Sequence, residues 1–256
     1  MNLGLVLSGG GIRGVAHIGA LKAMEEYKLI PTHISGTSAG AVVGGLYAAG
    51  IDWPEILYFL KTLPIFHRRR YAFNKPGFID PEKFYEEFKG YLPNDNFNAL
   101  KTFFFVTATN VVDGSLKIFH EGELIRPILA SASFPGVFSP VEIAGSYYID
   151  GGIFNNFPVE PLIPICGKII GVYVSPLKRI VINDLKHSYD VLERAYKLKS
   201  AADSILKFKQ CDIIISPAEL GSYGTFNMKN ITAIFDLGYA ETIRVLDEQM
   251  EEAMKE

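Results

Sequence analysis

Two glycine-containing motifs near the beginning of the chain have the residue types and spacing that nucleophilic catalysis needs. Gly36-Thr37-Ser38-Ala39-Gly40 has the G-x-S-x-G form, in which the two flanking glycines relieve crowding at a sharp turn from a strand into a helix. Such a turn lifts the serine oxygen out of the backbone, so Ser38 is the predicted nucleophile. One helix earlier, the glycine loop Gly9-Gly10-Gly11-Ile12-Arg13-Gly14 offers backbone N–H groups where a helix N-terminus favours an anion. Together the motifs predict acyl transfer.

The glycine loop alone is ambiguous, because a glycine-rich turn between a strand and a helix can also bind a phosphate. The loop lacks the Gly-Lys-Ser/Thr ending of a P-loop. It also lacks the acidic residue that a dinucleotide site has about 20 positions later, where the chain has Ile30-Pro31-Thr32. A non-catalytic lipid- or phosphate-binding α/β protein that uses this loop remains the alternative to an enzyme.

The serine needs a neighbouring base, because a hydroxyl group is a poor nucleophile until its proton is accepted. None of the five histidines lies in a local catalytic motif: His17, His33, His67, His120 and His187. Asp150, in the motif Asp150-Gly151-Gly152, is a candidate base, because a carboxylate can accept the hydroxyl proton and is a stronger base where it is buried. Taken alone, this motif also fits a turn that closes the strand over residues 147–149.

The glycine loop, the G-x-S-x-G motif and Asp-Gly-Gly, in this order, closely resemble the motifs of patatin-like phospholipases. These proteins are lipid acyl hydrolases with a Ser-Asp dyad and no catalytic histidine. Two further stretches extend the resemblance, Ala130-Ser131-Ala132-Ser133-Phe134-Pro135 and Asn156-Phe157-Pro158-Val159, so that it covers residues 3 to 159.

The resemblance implies a role for each motif. Ser38 is expected to be the nucleophile and Asp150 the base, with no cofactor and no metal ion. The remaining site residues follow by motif: Gly36 and Gly40 in the nucleophile elbow, Gly151 and Gly152 in the base motif, and Gly9, Gly10, Gly11 and Arg13 in the oxyanion hole. The expected substrate is a lipid or another acyl ester, cleaved as by a phospholipase A or a lysophospholipase.

The composition fits one enzyme domain. With 256 residues the chain can bury one large core, so we expect a single domain over residues 1–256. A net charge of −3 argues against a nucleic-acid binder, which needs a broad positive face. Cys166 and Cys211 lack C-x-x-C spacing, and no His, Asp and Glu cluster recurs at metal-ligand spacing.

The N-terminus lacks the basic flank and cleavage site of a secretory signal, so we expect a cytoplasmic protein. The oligomeric state does not follow from the sequence.

The hydrophobic pattern predicts alternating strands and helices, which favour a layered α/β fold. Predicted strands cover residues 3–7, 32–35, 101–109, 116–119, 168–174 and 212–216, and predicted helices cover residues 15–27, 39–49, 81–88, 184–207 and 231–255. Asp113-Gly114 predicts a hairpin, which makes the sheet partly mixed. With the resemblance, the expected architecture is a three-layer α/β/α sandwich with a mostly parallel central sheet.

Between residues 64 and 97 the pattern loosens, and we interpret this cap segment as a cap or flap over the site. It combines basic and aromatic residues: Arg68, Arg69 and Arg70 with Phe66, Tyr71 and Phe73. This composition suits transient contact with an anionic membrane surface. In the alternative interpretation, the arginines pair with acidic residues of the cap segment, Glu82, Glu86 and Glu87.

Overall fold

A computed structural model of the chain describes residues 1–226 and 228–254. Within them, one sheet contains eight strands: β1 (Leu3–Leu7), β2 (His33–Gly36), β3 (Phe103–Asn110), β4 (Leu116–Phe119), β5 (Val141–Ile143), β6 (Ser146–Asp150), β7 (Lys168–Val172) and β8 (Ile213–Ile215). The strand order is β5-β6-β3-β2-β1-β7-β8, and β4 pairs with β3.

The middle of the sheet is parallel, from β3 through β2, β1 and β7 to β8. By contrast, β4 and β6 pair antiparallel with β3, and β5 pairs antiparallel with β6. The predicted mostly parallel, partly mixed sheet is therefore confirmed. The hairpin at Asp113-Gly114 is also confirmed, and Gly114 has a φ of +72°, which glycine adopts without strain.

Seven α-helices lie in the described part of the chain: α1 (Val15–Glu26), α2 (Ala39–Ala48), α3 (Trp53–Thr62), α4 (Tyr85–Tyr91), α5 (Ile125–Ser131), α6 (Ser188–Ile205) and α7 (Ile231–Ala253). The pattern predicts α1, α2, α6 and α7, although α6 begins later than residue 184. Lys255, the predicted end of the last helix, lies outside the described residues. No helix in residues 1–226 or 228–254 has both the length and the apolar composition to cross a bilayer.

Both faces of the sheet are covered, because side chains of a buried parallel strand alternate between two apolar layers. Leu5 and Leu7 of β1 belong to the large core that includes residues of α1 and α2. Val6 belongs to a second cluster on the opposite face, with Phe157 and Tyr173. The expected three-layer architecture is confirmed.

The sequence motifs lie together at one edge of the sheet. β1 and β2 are parallel, so their carboxyl ends lead into the glycine loop and into Ser38 at the same edge. β6 runs the other way, and its last residue, Asp150, pairs with Ala108 near the carboxyl end of β3. Ligand and active sites of open α/β sheets lie at this edge.

The cap segment is partly built into the core. It contains two 3₁₀ turns, Arg68–Arg70 and Pro81–Phe84, and α4, so the helix predicted over residues 81–88 is present as a turn followed by α4. Phe84 and Phe88 are buried in the large core. The loop between the two turns instead carries exposed aromatic side chains, including Phe73 and Phe78.

Candidate active site

Ser38 lies in the sharp turn between β2 and α2. Its backbone has φ +54° and ψ −121°, a conformation that costs a non-glycine residue about 1–3 kcal/mol. The Ser38 N–H donates a 2.8 Å hydrogen bond to Oγ of Ser131 on α5, which stabilises the turn. A Cβ at Gly36 would lie 2.5 Å from the carbonyl oxygen of Gly40, and a Cβ at Gly40 would overlap the carbonyl of Leu7. The turn that presents Ser38 therefore requires glycine on both sides.

Asp150 ends β6 and begins a 3₁₀ turn, Gly151–Ile153, with its side chain 1% exposed. Its Oδ1 accepts a 2.8 Å hydrogen bond from the Gly152 N–H and a longer one, 3.5 Å, from the Tyr196 hydroxyl on α6. Its Oδ2 is buried and accepts no hydrogen bond from any described residue. A Cβ at Gly151 would overlap the Thr107 carbonyl, and one at Gly152 the Tyr196 hydroxyl. Oδ1 is thus held by hydrogen bonds, and Oδ2 has no hydrogen-bond donor among the described residues.

Burial raises the pKa of Asp150 from its ordinary value of 3.8 to about 6. The hydrogen bonds from Gly152 and Tyr196 and the nearby Ser38 hydroxyl lower this pKa and so oppose the effect of burial. The carboxylate is therefore a stronger base than an exposed aspartate and is still mostly ionised at neutral pH. The Ser38 hydroxyl lies beside this carboxylate, in the strained turn, and it carries the proton that the base would accept.

The glycine loop presents two unused backbone donors. The N–H groups of Gly10 and Gly11 donate to no described residue, and both glycines line a small polar pocket with Ser38 and Asp150. Gly11 has a φ of +60°, and a Cβ there would overlap the carbonyl of Thr225. Two N–H groups beside a nucleophile suit an oxyanion hole.

The prediction that Gly9 also contributes to the oxyanion hole is wrong for its N–H group. That group donates a 3.1 Å hydrogen bond to the carbonyl oxygen of Asn156. The Gly9 carbonyl in turn accepts a 2.8 Å hydrogen bond from the Ser175 hydroxyl. Gly9 therefore holds the glycine loop against Asn156 and against Ser175, which follows β7. The N–H groups of Gly10 and Gly11 remain without an acceptor among the described residues.

The resemblance places Arg13 in the oxyanion hole. In the structure, its hydrogen bonds go instead to the glycine loop itself and to Ser175. The guanidinium is almost fully buried, and its Nε donates a 3.0 Å hydrogen bond to the Gly10 carbonyl oxygen. Its Nη2 donates to Oγ of Ser175 at 3.2 Å. Because C=O and N–H point in opposite directions in a trans peptide, holding the Gly10 carbonyl also orients the Gly11 N–H. Burial lowers the pKa of Arg13, and Glu193 raises it.

Ser38 lies where an apolar cavity meets the polar pocket. The cavity, called here the inner cavity, encloses about 1000 Å³ including its open mouth. Its walls come from α2, α3, the cap segment and α5: Val42, Leu60, Leu63, Ile65, Phe66, Pro81, Phe84, Phe88 and Leu129. On the other side, the polar pocket is lined by Arg13, Asp150, Asn156, Ser175, Tyr196 and Lys197. An apolar chain attached to an ester fits this junction, with the ester at Ser38.

No histidine lines either cavity among the described residues. His17 is buried in α1, where its Nε2 is 2.8 Å from the Ser8 carbonyl oxygen, and burial lowers the pKa of His17 to about 4. The structure thus brings Ser38 and Asp150 together without an imidazole. Within residues 1–226 and 228–254, no group of three or more His, Cys, Asp or Glu side chains is placed to hold a metal ion.

Sequence reasoning missed the residues that support the site from outside the motifs. Tyr196 contacts Asp150 from α6, and Thr225 contacts the glycine loop by accepting a 2.9 Å hydrogen bond from the Ile12 N–H. Neither has a local sequence signal, because each is brought to the site only by the fold. Ser131 could have been identified, since it belongs to the Ala130–Pro135 stretch that carries the family resemblance.

The three arginines of the cap segment differ in their contacts. Arg70 forms an ion pair with Glu87 and lies 4.5 Å from the ring centre of Phe84. Arg68 and Arg69 are exposed and form no ion pair with any described residue. The pairing interpretation therefore holds for Arg70, which is not free for an anionic surface, and Arg68 and Arg69 remain candidates for such a contact.

Comparison with known proteins places these features in context. Residues 5–163 match the family model described as "Patatin-like phospholipase". An NTE family protein of Mycobacterium tuberculosis is 25% identical over 273 residues, covering 93% of this chain and 45% of that protein. Lysophospholipase NTE1 of Cryptococcus neoformans is 31% identical over 168 residues, covering 62% of this chain and 10% of that protein. The chain thus spans less than half the length of these relatives.

Among solved structures, VipD from Legionella pneumophila has a similar fold. It superposes with a TM-score of 0.64 at 17% sequence identity, covering 96% of this chain and 67% of that one. The similarity extends over nearly the whole chain and therefore beyond residues 5–163, the segment matched by the family model.

Proposed function

Because the chain belongs to the patatin-like phospholipase family, we propose that it is a lipid acyl hydrolase that cleaves carboxylic esters through a Ser38–Asp150 dyad and an acyl-enzyme. One observation carries this proposal. The strained Ser38, the unpartnered Oδ2 of Asp150 and the unused N–H groups of Gly10 and Gly11 line one site where an apolar cavity ends.

The proposed first half-reaction forms the acyl-enzyme. The acyl chain of the substrate occupies the inner cavity, which brings the ester carbonyl to Ser38. Ser38 Oγ attacks the carbonyl carbon while Oδ2 of Asp150 accepts the hydroxyl proton. The negative oxygen of the tetrahedral intermediate accepts hydrogen bonds from Gly10 and Gly11. The C–O bond to the alcohol then breaks, and the alcohol leaves with the proton held by Asp150.

In the second half-reaction, water replaces the alcohol. Asp150 accepts a proton from the water as it attacks the acyl carbonyl, and the same N–H groups stabilise the second intermediate. Collapse returns the proton to Ser38 Oγ and releases the fatty acid. The raised pKa of about 6 suits both steps, because Asp150 is ionised at neutral pH yet close enough in basicity to hold a proton transiently.

The substrate class follows from the family and from the name of one relative. The Cryptococcus neoformans relative is called a lysophospholipase, and the family name refers to phospholipids. We extend this to a phospholipase A or lysophospholipase reaction for the present chain. We also propose peripheral contact with anionic membranes through Arg68 and Arg69, whose charges are exposed beside Phe66 at the mouth of the inner cavity.

Covalent labelling tests the nucleophile. A biotinylated fluorophosphonate should modify Ser38, as located by peptide mass spectrometry, and Ser38→Ala should abolish the label. Ser188→Ala, at an exposed serine that begins α6, is the matched control and should retain full labelling. If the unaltered protein is neither labelled nor able to hydrolyse esters, the non-catalytic lipid- or phosphate-binding alternative replaces the proposal.

A series of p-nitrophenyl esters tests the use of the inner cavity. As the acyl chain lengthens, kcat/KM should rise by up to about fourfold for each methylene group that becomes buried. The rise should stop when the cavity is full. An unchanged kcat/KM across the series would show that the cavity does not bind the acyl chain.

A further inference from the structure

A second apolar depression lies outside the mouth of the inner cavity. This outer groove, about 1220 Å³ with its open solvent space, is lined mainly by aromatic side chains: Phe66, Tyr71, Phe73, Phe78, Tyr189 and Phe226. Tyr71, Phe73 and Phe78 belong to the loop of the cap segment, and Tyr189 belongs to α6. Phe73 and Phe78 are 74% and 72% exposed, so water covers large apolar rings here.

The outer groove adjoins the inner cavity. Phe66 and Phe226 line both spaces, and their rings meet edge to face with centres 6.0 Å apart. Phe66 is also half exposed, so the inner cavity reaches solvent at this ring. A molecule whose acyl chain fills the inner cavity therefore has the outer groove beside its exit.

Backbone contacts hold the groove in shape. The Ala72 N–H donates a 2.9 Å hydrogen bond to the Phe78 carbonyl oxygen, and the Phe78 N–H donates a 3.0 Å bond to that of Val137. Gly77, at the bend, has a φ of +148° and leaves no space for a side chain, since a Cβ would lie 2.5 Å from the Ser139 nitrogen. The exposed rings are thus presented on a fixed loop, so little ordering of this loop opposes ligand binding.

We propose that the outer groove binds the second acyl chain of a diacyl lipid while the inner cavity holds the chain that is cleaved. This inference rests on the proposed ester hydrolysis at Ser38 and names its substrate class. An ester with one acyl chain leaves the groove empty once that chain enters the inner cavity. A diacyl lipid covers the exposed rings with its second chain, and it gains the free energy of removing apolar surface from water. The enzyme should therefore favour diacyl over monoacyl lipids.

Short-chain lipids test this without a membrane. The kcat/KM values for 1,2-dihexanoylphosphatidylcholine and for 1-hexanoyl-lysophosphatidylcholine are measured below their micelle concentrations, and their ratio is the readout. Phe73→Ser combined with Phe78→Ser should lower this ratio about tenfold, since two exposed rings leave the groove. Phe103→Ser is the matched control and should keep the ratio, because Phe103 is 71% exposed at the amino end of β3, far from the groove.

Binding to the inactive Ser38→Ala protein gives a second readout. Isothermal titration should show tighter binding of the dihexanoyl lipid than of the monoacyl lipid, and the double serine variant in this background should remove the difference. An unchanged ratio and unchanged binding overturn the groove proposal while ester turnover stays intact. A loss seen only on vesicles also overturns it, in favour of a bilayer contact. Absence of ester turnover in the unaltered protein contradicts the proposed function instead, and the titration still decides the groove.

Discussion

Arg13 Nε donates a 3.0 Å hydrogen bond to the carbonyl oxygen of Gly10, and this contact orients the peptide that carries the Gly11 N–H. The guanidinium spans two acceptors, since Nη2 also reaches the Ser175 hydroxyl at 3.2 Å. The basic residue of the glycine loop thus supports the predicted oxyanion donors from behind. Its effect on catalysis should therefore depend on shape as well as on charge.

Arg13→Lys should reduce turnover although it keeps the positive charge. A single ammonium group cannot reproduce the planar two-point contact, so the Gly11 N–H loses its fixed direction. We expect kcat to fall about 10- to 100-fold and KM to change little, because the donors act mainly on charge that develops in the transition state. Steady-state kinetics with a p-nitrophenyl ester measures this. Arg244→Lys, at an exposed position of α7, is the control. A rise in KM at constant kcat would instead indicate a role in binding.

The pH dependence of kcat/KM should report Asp150. Burial raises its pKa to about 6, and the ionised form is the base, so activity should increase with pH through a midpoint near that value. Tyr196→Phe removes a hydrogen bond that favours the charged carboxylate, so the midpoint should move to higher pH. Tyr189→Phe removes a hydroxyl group from the same helix that does not act on Asp150, and it should leave the midpoint in place. If Tyr196→Phe has the same midpoint as the unaltered protein, Tyr196 does not influence the pKa of Asp150.

The same buried carboxylate should cost stability at neutral pH. Its pKa in the folded protein exceeds the ordinary value of 3.8, so the favourable contribution is complete below pH 3.8 and is lost as pH rises through about 6. Asp150→Asn cannot ionise, and it should be more stable than the unaltered protein at pH 8 by at most about 3 kcal/mol. Near pH 4 the two should be nearly equal. Urea unfolding at both pH values checks this, and an equal loss of stability at both would point to packing instead.

Binding to anionic vesicles should depend on Arg68 and Arg69. Each exposed basic residue near such a surface contributes about 1 kcal/mol, so the double alanine variant should bind about 30-fold more weakly at low salt. Lys28→Ala with Lys209→Ala removes the same charge from exposed positions that precede β2 and β8, at the opposite edge of the sheet. Vesicle sedimentation compares the two variants. Equal weakening by both would mean that only net charge matters.

The local parts of the site could be predicted from the sequence because glycine has few structural substitutes. The elbow around Ser38, the turn after Asp150 and the glycine loop each need residues without a Cβ, and the spacing of those residues is visible in one chain. The strands that position them are short apolar runs, which the pattern also predicts. Local chemistry and local geometry therefore agreed at Ser38 and Asp150.

The rest depended on tertiary contacts. Whether the Gly9 N–H was free could not be known before the position of Asn156 was known. Tyr196 reaches Asp150 from a helix 46 residues later, without any motif. Helix α3 was not predicted, although Asp52 followed by Pro54 is a sequence signal for a helix start. Helix α5 has seven residues with Pro127 inside it, so it is too short to show a helical hydrophobic pattern. The outer groove arises from separate segments and has no sequence pattern.

The dyad is tested most directly by the kcat/KM of p-nitrophenyl butyrate hydrolysis in folded single and double variants. Ser38→Ala and Asp150→Asn should each lower it by about 10⁴ or more, and the double variant should be scarcely worse, because the two residues act as one unit. His17→Gln, which keeps a donor for the Ser8 carbonyl, and alanine at His33, His67, His120 or His187 should retain substantial activity. A folded histidine variant as inactive as Ser38→Ala, or an active Asp150→Asn, would contradict the Ser38–Asp150 dyad.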